Sequence, residues 1–381
     1  MTNKRSLMGY VSKWIFSLLW VVVGRISPKM AKTFLCWTLS DNAFVGDAYK
    51  DSILEVQALG TTFANPLGLA AGFDRTVKYV DILLNSGFSF GEVGTFTVQP
   101  DHSLEEATFL FDKQAIATSS GGYPNAGLQK MVPALMARRH LPHVVGISVT
   151  SAIQAERTKK NDSLSMDTLE QDIVKAVQMV APCCNYIVLN LSHPALPISD
   201  LLLVPTTLEP ILKAAKVQIS KSALVSPPKL LVKVPCDLKL DARALSRSFI
   251  ATGVDGVIIS GAASSRLELA RLHLPTEAGL VSGRPLADSA LELLKRFYRE
   301  SNNQLTLIAS GGIFTAQDVL ERLKAGASLV QIYTVLLYEG PSIVSKINRE
   351  LAMLLRKEGY QSVAQCIGTS VRREQQGGFD A

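Results

Sequence analysis

Residues 305–334 read LTLIASGGIFTAQDVLERLKAGASLVQIYT. Two apolar runs, LTLIAS (305–310) and SLVQIY (328–333), flank a helical-looking segment, AQDVLERLKAGA. Neither run alternates strictly between apolar and polar residues, as expected of strands buried on both faces. Working outward, six earlier runs share this character: LGLAA (67–71), FSFGEVG (88–94), VVGISV (144–149), YIVLNL (186–191), LLVKV (230–234) and DGVIIS (255–260). Eight such strands with intervening helices predict an α/β fold, a (β/α)8 TIM barrel. A doubly wound open sheet is the alternative, but no Gly-x-Gly-x-x-Gly follows the first run.

The chain has 381 residues, more than the roughly 250 that usually share one core, so a large domain with an appendage is expected. Hydrophobic residues make up 47% and charged residues 19%, which excludes a mostly disordered chain. Five cysteines show neither zinc-ligand spacing nor a disulfide framework, and no metal site is expected. The net charge of +6 is confined to residues 1–40, which hold Lys4, Arg5, Lys13, Arg25, Lys29 and Lys32 and no acid. The other 33 basic residues balance the 33 acidic ones. A body without a basic working face argues against nucleic-acid binding.

All three tryptophans, Trp14, Trp20 and Trp37, also lie in that segment. The apolar run WIFSLLWVVVG (14–24) falls short of the about 20 residues needed to span a bilayer. Ser27-Pro28 then reads as an N-cap with proline at the first helical position. Two short helices rich in Trp and Lys/Arg predict a peripheral membrane anchor over residues 1–45. A pair of helices packed on its own domain, or a signal or spanning segment, are the competing readings; no small-x-small cleavage site follows the run. The barrel is expected over 46–366, and the tail 367–381, without periodicity, is expected to be frayed.

Barrels place their chemistry at the C-terminal ends of the strands and often hold phosphate after the seventh and eighth. Here Ser310-Gly311-Gly312-Ile313 follows the seventh run, with a helix start at Thr315, and Tyr333-Thr334 ends the eighth. Glycines permit close approach of backbone N–H groups to an anion, and Gly283 offers another such approach. Lys233 interrupts the apolar LLVKVP, where an ammonium is costly without an acceptor. Its partner is either an electron-rich cofactor ring or an internal carboxylate, Glu92 or Asp255.

The segments NPLGLAAGFD (65–74), GEVGTFTVQP (91–100), LVKVPCDL (231–238), GVDGVII (253–259), GLVSGRPL (279–286) and 309–334 together resemble the membrane-associated, quinone-dependent dihydroorotate dehydrogenases. The resemblance runs from about residue 10 to 366 and implies a barrel holding FMN, with N-terminal helices forming the quinone entrance. It implies oxidation of dihydroorotate to orotate in pyrimidine biosynthesis, a loop base taking a proton from C5 while hydride passes from C6 to flavin N5. By the same resemblance Ala71, Gly72, Phe73, Asp74, Arg75, Thr95, Ser148, Asn190, Lys233, Ser260, Gly283, Gly311, Gly312, Tyr333 and Thr334 contact the flavin. Arg75, Asn125 and Asn190 fall at substrate positions, and Lys233 with a residue of the fourth-strand loop at catalytic ones.

Several positions depart from the family pattern. Arg75 stands where the family has lysine, and Ser148 where it usually has asparagine. The Asn-x-Ser-Ser-Pro-Asn loop is Asn190-Leu191-Ser192-His193-Pro194-Ala195, so the base position is His193. Thr-Asn-Thr after the sixth strand is Ser260-Gly261-Ala262, and Asn-x-x-Gly-Phe-Asn survives as SSGGYPN (119–125). An imidazole with pKa near 6.5 accepts a proton at neutral pH without an activating partner; an ordinary loop histidine is the competing reading. Each lost substrate partner costs about 1–3 kcal/mol when buried. Three readings stay open: a dihydroorotate dehydrogenase, an FMN oxidoreductase for another substrate, and a non-catalytic FMN-binding or membrane-attached protein. His102, His140, His143 and His273 are scattered and read as surface or structural.

Overall fold

The computed structural model describes residues 48–102, 108–111, 115–119, 122–151, 166–192, 203–222, 224–263 and 280–377. The expected membrane anchor at 1–45 and the base candidate His193 lie outside the described residues.

In chain order the strands are β1 (Val56–Ala58), β2 (Thr61–Phe63), β3 (Leu67–Leu69), β4 (Phe90–Phe96), β5 (Thr108–Phe111), β6 (Ile116–Ser119), β7 (Val144–Val149), β8 (Tyr186–Asn190), β9 (Lys229–Val234), β10 (Gly256–Ile259), β11 (Ala262–Ala263), β12 (Leu280–Gly283), β13 (Thr306–Ser310) and β14 (Leu329–Ile332). The helices are α1 (Val80–Leu84), α2 (Leu128–Ala137), α3 (Met166–Val180), α4 (Pro205–Lys221), α5 (Ala242–Ala251), α6 (Ala287–Ser301), α7 (Ala316–Lys324), α8 (Thr334–Glu339), α9 (Ile343–Lys357), α10 (Val363–Cys366) and α11 (Thr369–Gly377).

Strands β3, β4, β7, β8, β9, β10, β13 and β14 pair in parallel and close, β14 returning to β3, into an eight-stranded barrel. They are the eight apolar runs of the sequence, in order. In β9 every residue after Lys229 is buried, because alternate side chains face the barrel interior and the helical layer. That double burial explains why no polar alternation marks the strand, and why Lys233 in it is exceptional.

Two additions were not expected from the sequence. The hairpin β1–β2 turns on Leu59 and Gly60, both at positive φ as a tight two-residue turn requires. Its Phe63 meets Phe90, the first residue of β4, edge to face at 5.4 Å, so the hairpin covers the N-terminal end of the barrel. A second sheet, in the order β11-β12-β6-β5, is antiparallel and stands beside the C-terminal end. Its strands are two to four residues long, too short to leave a pattern.

The frayed tail is corrected as far as residue 377. Helix α11 is anchored by fully buried Val371 and by Glu374, which accepts from Lys295 and Arg299 of α6 at 2.5 and 2.7 Å. The segment lacks an apolar stripe, and one buried valine with a set of ion pairs holds it instead. Among the described residues no helix is long and apolar enough to cross a membrane.

Candidate active site at the C-terminal mouth

A cavity of about 980 Å³ opens at the C-terminal end of the barrel. One wall is the turn after β13. Gly311 and Gly312 have φ of +98° and +68°, and a Cβ on either would fall 2.5 Å from the Cα of Gly261 or of Ala287. Only glycine therefore fits, and the wall there is bare backbone. The turn is braced from outside the cavity. Buried Arg322 donates through Nη2 to Ala287 O at 2.8 Å and Gly311 O at 3.5 Å, and Asp318 accepts from the N–H groups of Phe314 and Thr315, both at 2.8 Å. Thr315 and Asp318 form a capping box that starts α7 immediately after the turn, as the sequence predicted for Thr315. Burial lowers the Arg322 pKa, while Asp318 opposes that shift. Ser282 and Thr334, 3.0 Å apart between hydroxyls, extend this polar end of the cavity.

The floor carries a buried charge pair. Lys233 lines the cavity, and its Nζ lies 3.6 Å from Oε1 of Glu92, a carboxylate with 0% exposure. Gln331 donates from Nε2 to Glu92 Oε2 at 2.7 Å. Among the described residues, Gln331 Oε1 and Glu92 Oε1 are buried without a hydrogen-bond donor. Of the two partners offered for Lys233, the internal carboxylate is present as Glu92; Asp255 instead pairs with Lys216 and Lys229.

The opposite wall is a hydrogen-bonded chain built by a strand irregularity. The pairing of β4 with β7 shifts register between Val93 and Phe96, and the intervening Thr95 faces the cavity. Thr95 Oγ1 lies 3.0 Å from Ser148 Oγ and accepts from Asn190 Nδ2 at 2.8 Å. The Asn190 amide also donates to Tyr123 Oη at 3.1 Å, and its carbonyl accepts from Ser192 Oγ at 2.6 Å. The Arg75 guanidinium sits 5.8 Å from the centre of the Tyr123 ring, within cation–π range.

Eleven of the fifteen expected flavin-contacting residues line this cavity together: Ala71, Gly72, Arg75, Thr95, Asn190, Lys233, Ser260, Gly311, Gly312, Tyr333 and Thr334. Four do not. Phe73 is packed edge to face on Tyr333 at 6.2 Å. Asp74 spends its carboxylate on the loop ahead of α1, accepting from the N–H groups of Thr76, Lys78, Tyr79 and Val80. Ser148 stands behind Thr95, and Gly283 packs against Ala115 O. Asn125, expected at a substrate position, does not line the cavity either. Its Nδ2 donates to Thr97 Oγ1 and Tyr123 O, and its Oδ1 accepts from Gly127 N, so the amide organises its own loop.

Tyr123, Gln331, Ser282 and Ser192 line the cavity without having been singled out as cofactor or substrate residues. Gln331 carried the same signal as Lys233, a polar side chain inside the apolar run SLVQIY. Tyr123 reaches the cavity from a loop, which periodicity does not place.

Residues 53–355 match the dihydroorotate dehydrogenase family. This chain belongs to that family. It is 32% identical over 356 residues to the mitochondrial dihydroorotate dehydrogenase (quinone) of Mus musculus, covering 91% of this chain and 88% of the mouse protein. It is 34% identical over 328 residues to the dihydroorotate dehydrogenase (quinone) of Xanthobacter autotrophicus, covering 84% and 89%. The crystal structure of DHODH in complex with ferulenol from Eimeria tenella is similar with a TM-score of 0.80 at 29% identity, covering 90% of this chain and 96% of that one. The family resemblance and the TIM barrel read from the sequence both stand. Within the dihydroorotate dehydrogenase barrel, the cavity occupies the end where active sites of this fold are found.

Proposed function

We propose that this chain is an FMN-dependent dihydroorotate dehydrogenase that oxidises dihydroorotate to orotate for pyrimidine biosynthesis and passes the electrons to a membrane quinone. The observation that carries the reading is the cavity itself, in which a side-chain-free Gly311–Gly312 turn and a buried Lys233 occupy opposite needs of one nucleotide.

The residues fit FMN. The turn braced by Arg322 presents backbone to a phosphate, with the Ser282 and Thr334 hydroxyls beside it. Gln331 Oε1 is a buried acceptor in need of a donor, and Lys233 a buried donor, a pairing suited to the polar edge of a flavin ring. Bound FMN supplies the two-electron chemistry that no side chain here provides. The protein orients and polarises: Lys233 presents its amino group at the cavity floor, a setting suited to an electron-rich ring, with Glu92 beneath it. Arg75, stacked on Tyr123, offers a planar guanidinium to a substrate carboxylate. Asn190, fixed by Thr95, Tyr123 and Ser192, holds one orientation of its amide. His193 is assigned as the base that takes the substrate proton, on the chemistry of its imidazole and its place three residues after Asn190.

Association with the membrane is assigned to residues 1–45, whose basic residues and tryptophans suit an interfacial helix pair rather than a span. The quinone is the acceptor named for the mouse and bacterial relatives.

One observation favours a second reading, an FMN oxidoreductase with a different substrate. A Cβ on Gly261 would fall 2.2 Å from Gly311 Cα, so no asparagine side chain is accommodated there without moving the backbone. The test is orotate formation by the full chain with dihydroorotate and a soluble quinone. Quinone-dependent orotate production is expected; flavin-loaded protein that makes none under these conditions favours the second reading.

A further inference from the structure

A second concavity, of about 1090 Å³, lies at the opposite end of the barrel. It is bounded by residues at the starts of β7, β8 and β9, namely Val144, Asn185 and Lys229, and by the β1–β2 turn. Among the described residues its charged lining is basic: Arg138 and Arg139 at the end of α2, His143 and Lys229. Two carboxylates stand behind these groups. Asp81 accepts from Arg138 at 2.5 Å and lies 3.3 Å from His143; Asp255 is 3.3 Å from Lys229 and 3.0 Å from Lys216. Of the three permanent cations in the lining, Arg138 is thus paired with Asp81 and Lys229 with Asp255, which leaves the Arg139 guanidinium uncompensated on the concave surface. Among the described residues Arg139 enters no side-chain ion pair, and it is exposed, so its guanidinium is available to a ligand.

We propose that this basal pocket binds a small polyanion carrying two or more phosphate groups, at a site separate from the cavity at the C-terminal mouth. The basic groups come from the end of α2, the segment before β7 and the start of β9, and linked phosphates can meet more of them than a single phosphate. Arginine's planar fork matches phosphate oxygens in pairs. Concavity between strand ends and a hairpin turn excludes a flat bilayer surface as the occupant.

The test is calorimetric titration of the full chain, saturated with FMN, with tripolyphosphate. One saturable site per chain is expected, with orthophosphate at least tenfold weaker. Arg139→Glu is expected to weaken tripolyphosphate at least tenfold, and Arg139→Gln less. Lys346→Glu, the same charge change at an exposed lysine of α9 outside the pocket lining, is expected to leave binding unchanged. The absence of saturable binding, or equal loss in the Arg139 and Lys346 variants, overturns the proposal. Repeating the titration without FMN separates it from the flavin assignment, because Arg139→Glu is expected to act identically in both states.

Discussion

The Nζ of Lys233 stands 3.6 Å from Oε1 of Glu92, with the lysine side chain 8% and the glutamate 0% exposed. The pair ties the C-terminal end of β9 to β4 across the barrel interior and sets a basic group at the cavity floor. Removing one member of such a pair leaves an uncompensated buried charge, whereas removing both does not. Glu92→Gln is therefore expected to lower unfolding free energy by about 3 kcal/mol. Glu92→Gln combined with Lys233→Met should recover part of that loss in a denaturant-unfolding double-mutant cycle. Purely additive losses would show that the two groups do not interact.

The Gly311–Gly312 turn makes a separate prediction. Gly312→Ala places a Cβ against Ala287 backbone at a φ of +68°, a strain of about 1–3 kcal/mol before any clash is relieved. FMN affinity measured by flavin fluorescence titration should fall at least tenfold, alongside a loss of apoprotein stability of about 1–3 kcal/mol. Unchanged affinity would remove the turn from the cofactor site.

His193→Ala tests the base. Loss of a positioned general base costs about 10²–10⁴ in rate. The expected result, read by stopped-flow reduction of the bound flavin by dihydroorotate, is a loss in that range with flavin binding retained. A variant as fast as the parent protein removes His193 from the reaction.

At the C-terminus, Glu374 is held below its ordinary pKa chiefly by the hydrogen bond from Lys295, with Arg299 adding to it. A depressed carboxyl contributes stability above its unfolded-state pKa and loses that contribution as pH falls through the lowered value. The side chain is 43% exposed, so solvent screening limits the effect to less than about 1 kcal/mol. Glu374→Gln should lower the melting temperature slightly near neutral pH and leave it unchanged in acid, measured by calorimetry.

The barrel was legible because its eight strands are buried on both faces and read as unbroken apolar runs bounded by turn residues. Hairpin β1–β2 and the sheet of β11, β12, β6 and β5 were not, since strands of two to four residues carry no period. At the mouth, Lys233 and the glycine turn announced themselves through the cost of a buried charge and the freedom of a bare backbone. Resemblance of local sequence marks Phe73, Asp74 and Asn125 but not their packing: Phe73 lies against Tyr333, and the Asp74 and Asn125 side chains hydrogen-bond within their own loops. Tyr123 carries no such signal, because its approach to Arg75 and Asn190 joins residues 48 and 67 positions apart, a juxtaposition only the closed barrel creates.

The central claim is that the C-terminal mouth holds FMN and that dihydroorotate reduces it. The most direct measurement is the visible spectrum of the purified full chain, before and after dihydroorotate is added without oxygen. A yellow protein whose flavin absorbance bleaches is the result predicted here. A flavin-loaded protein that other donors bleach and dihydroorotate does not would contradict the substrate, and a colourless protein that FMN fails to reconstitute would contradict the site.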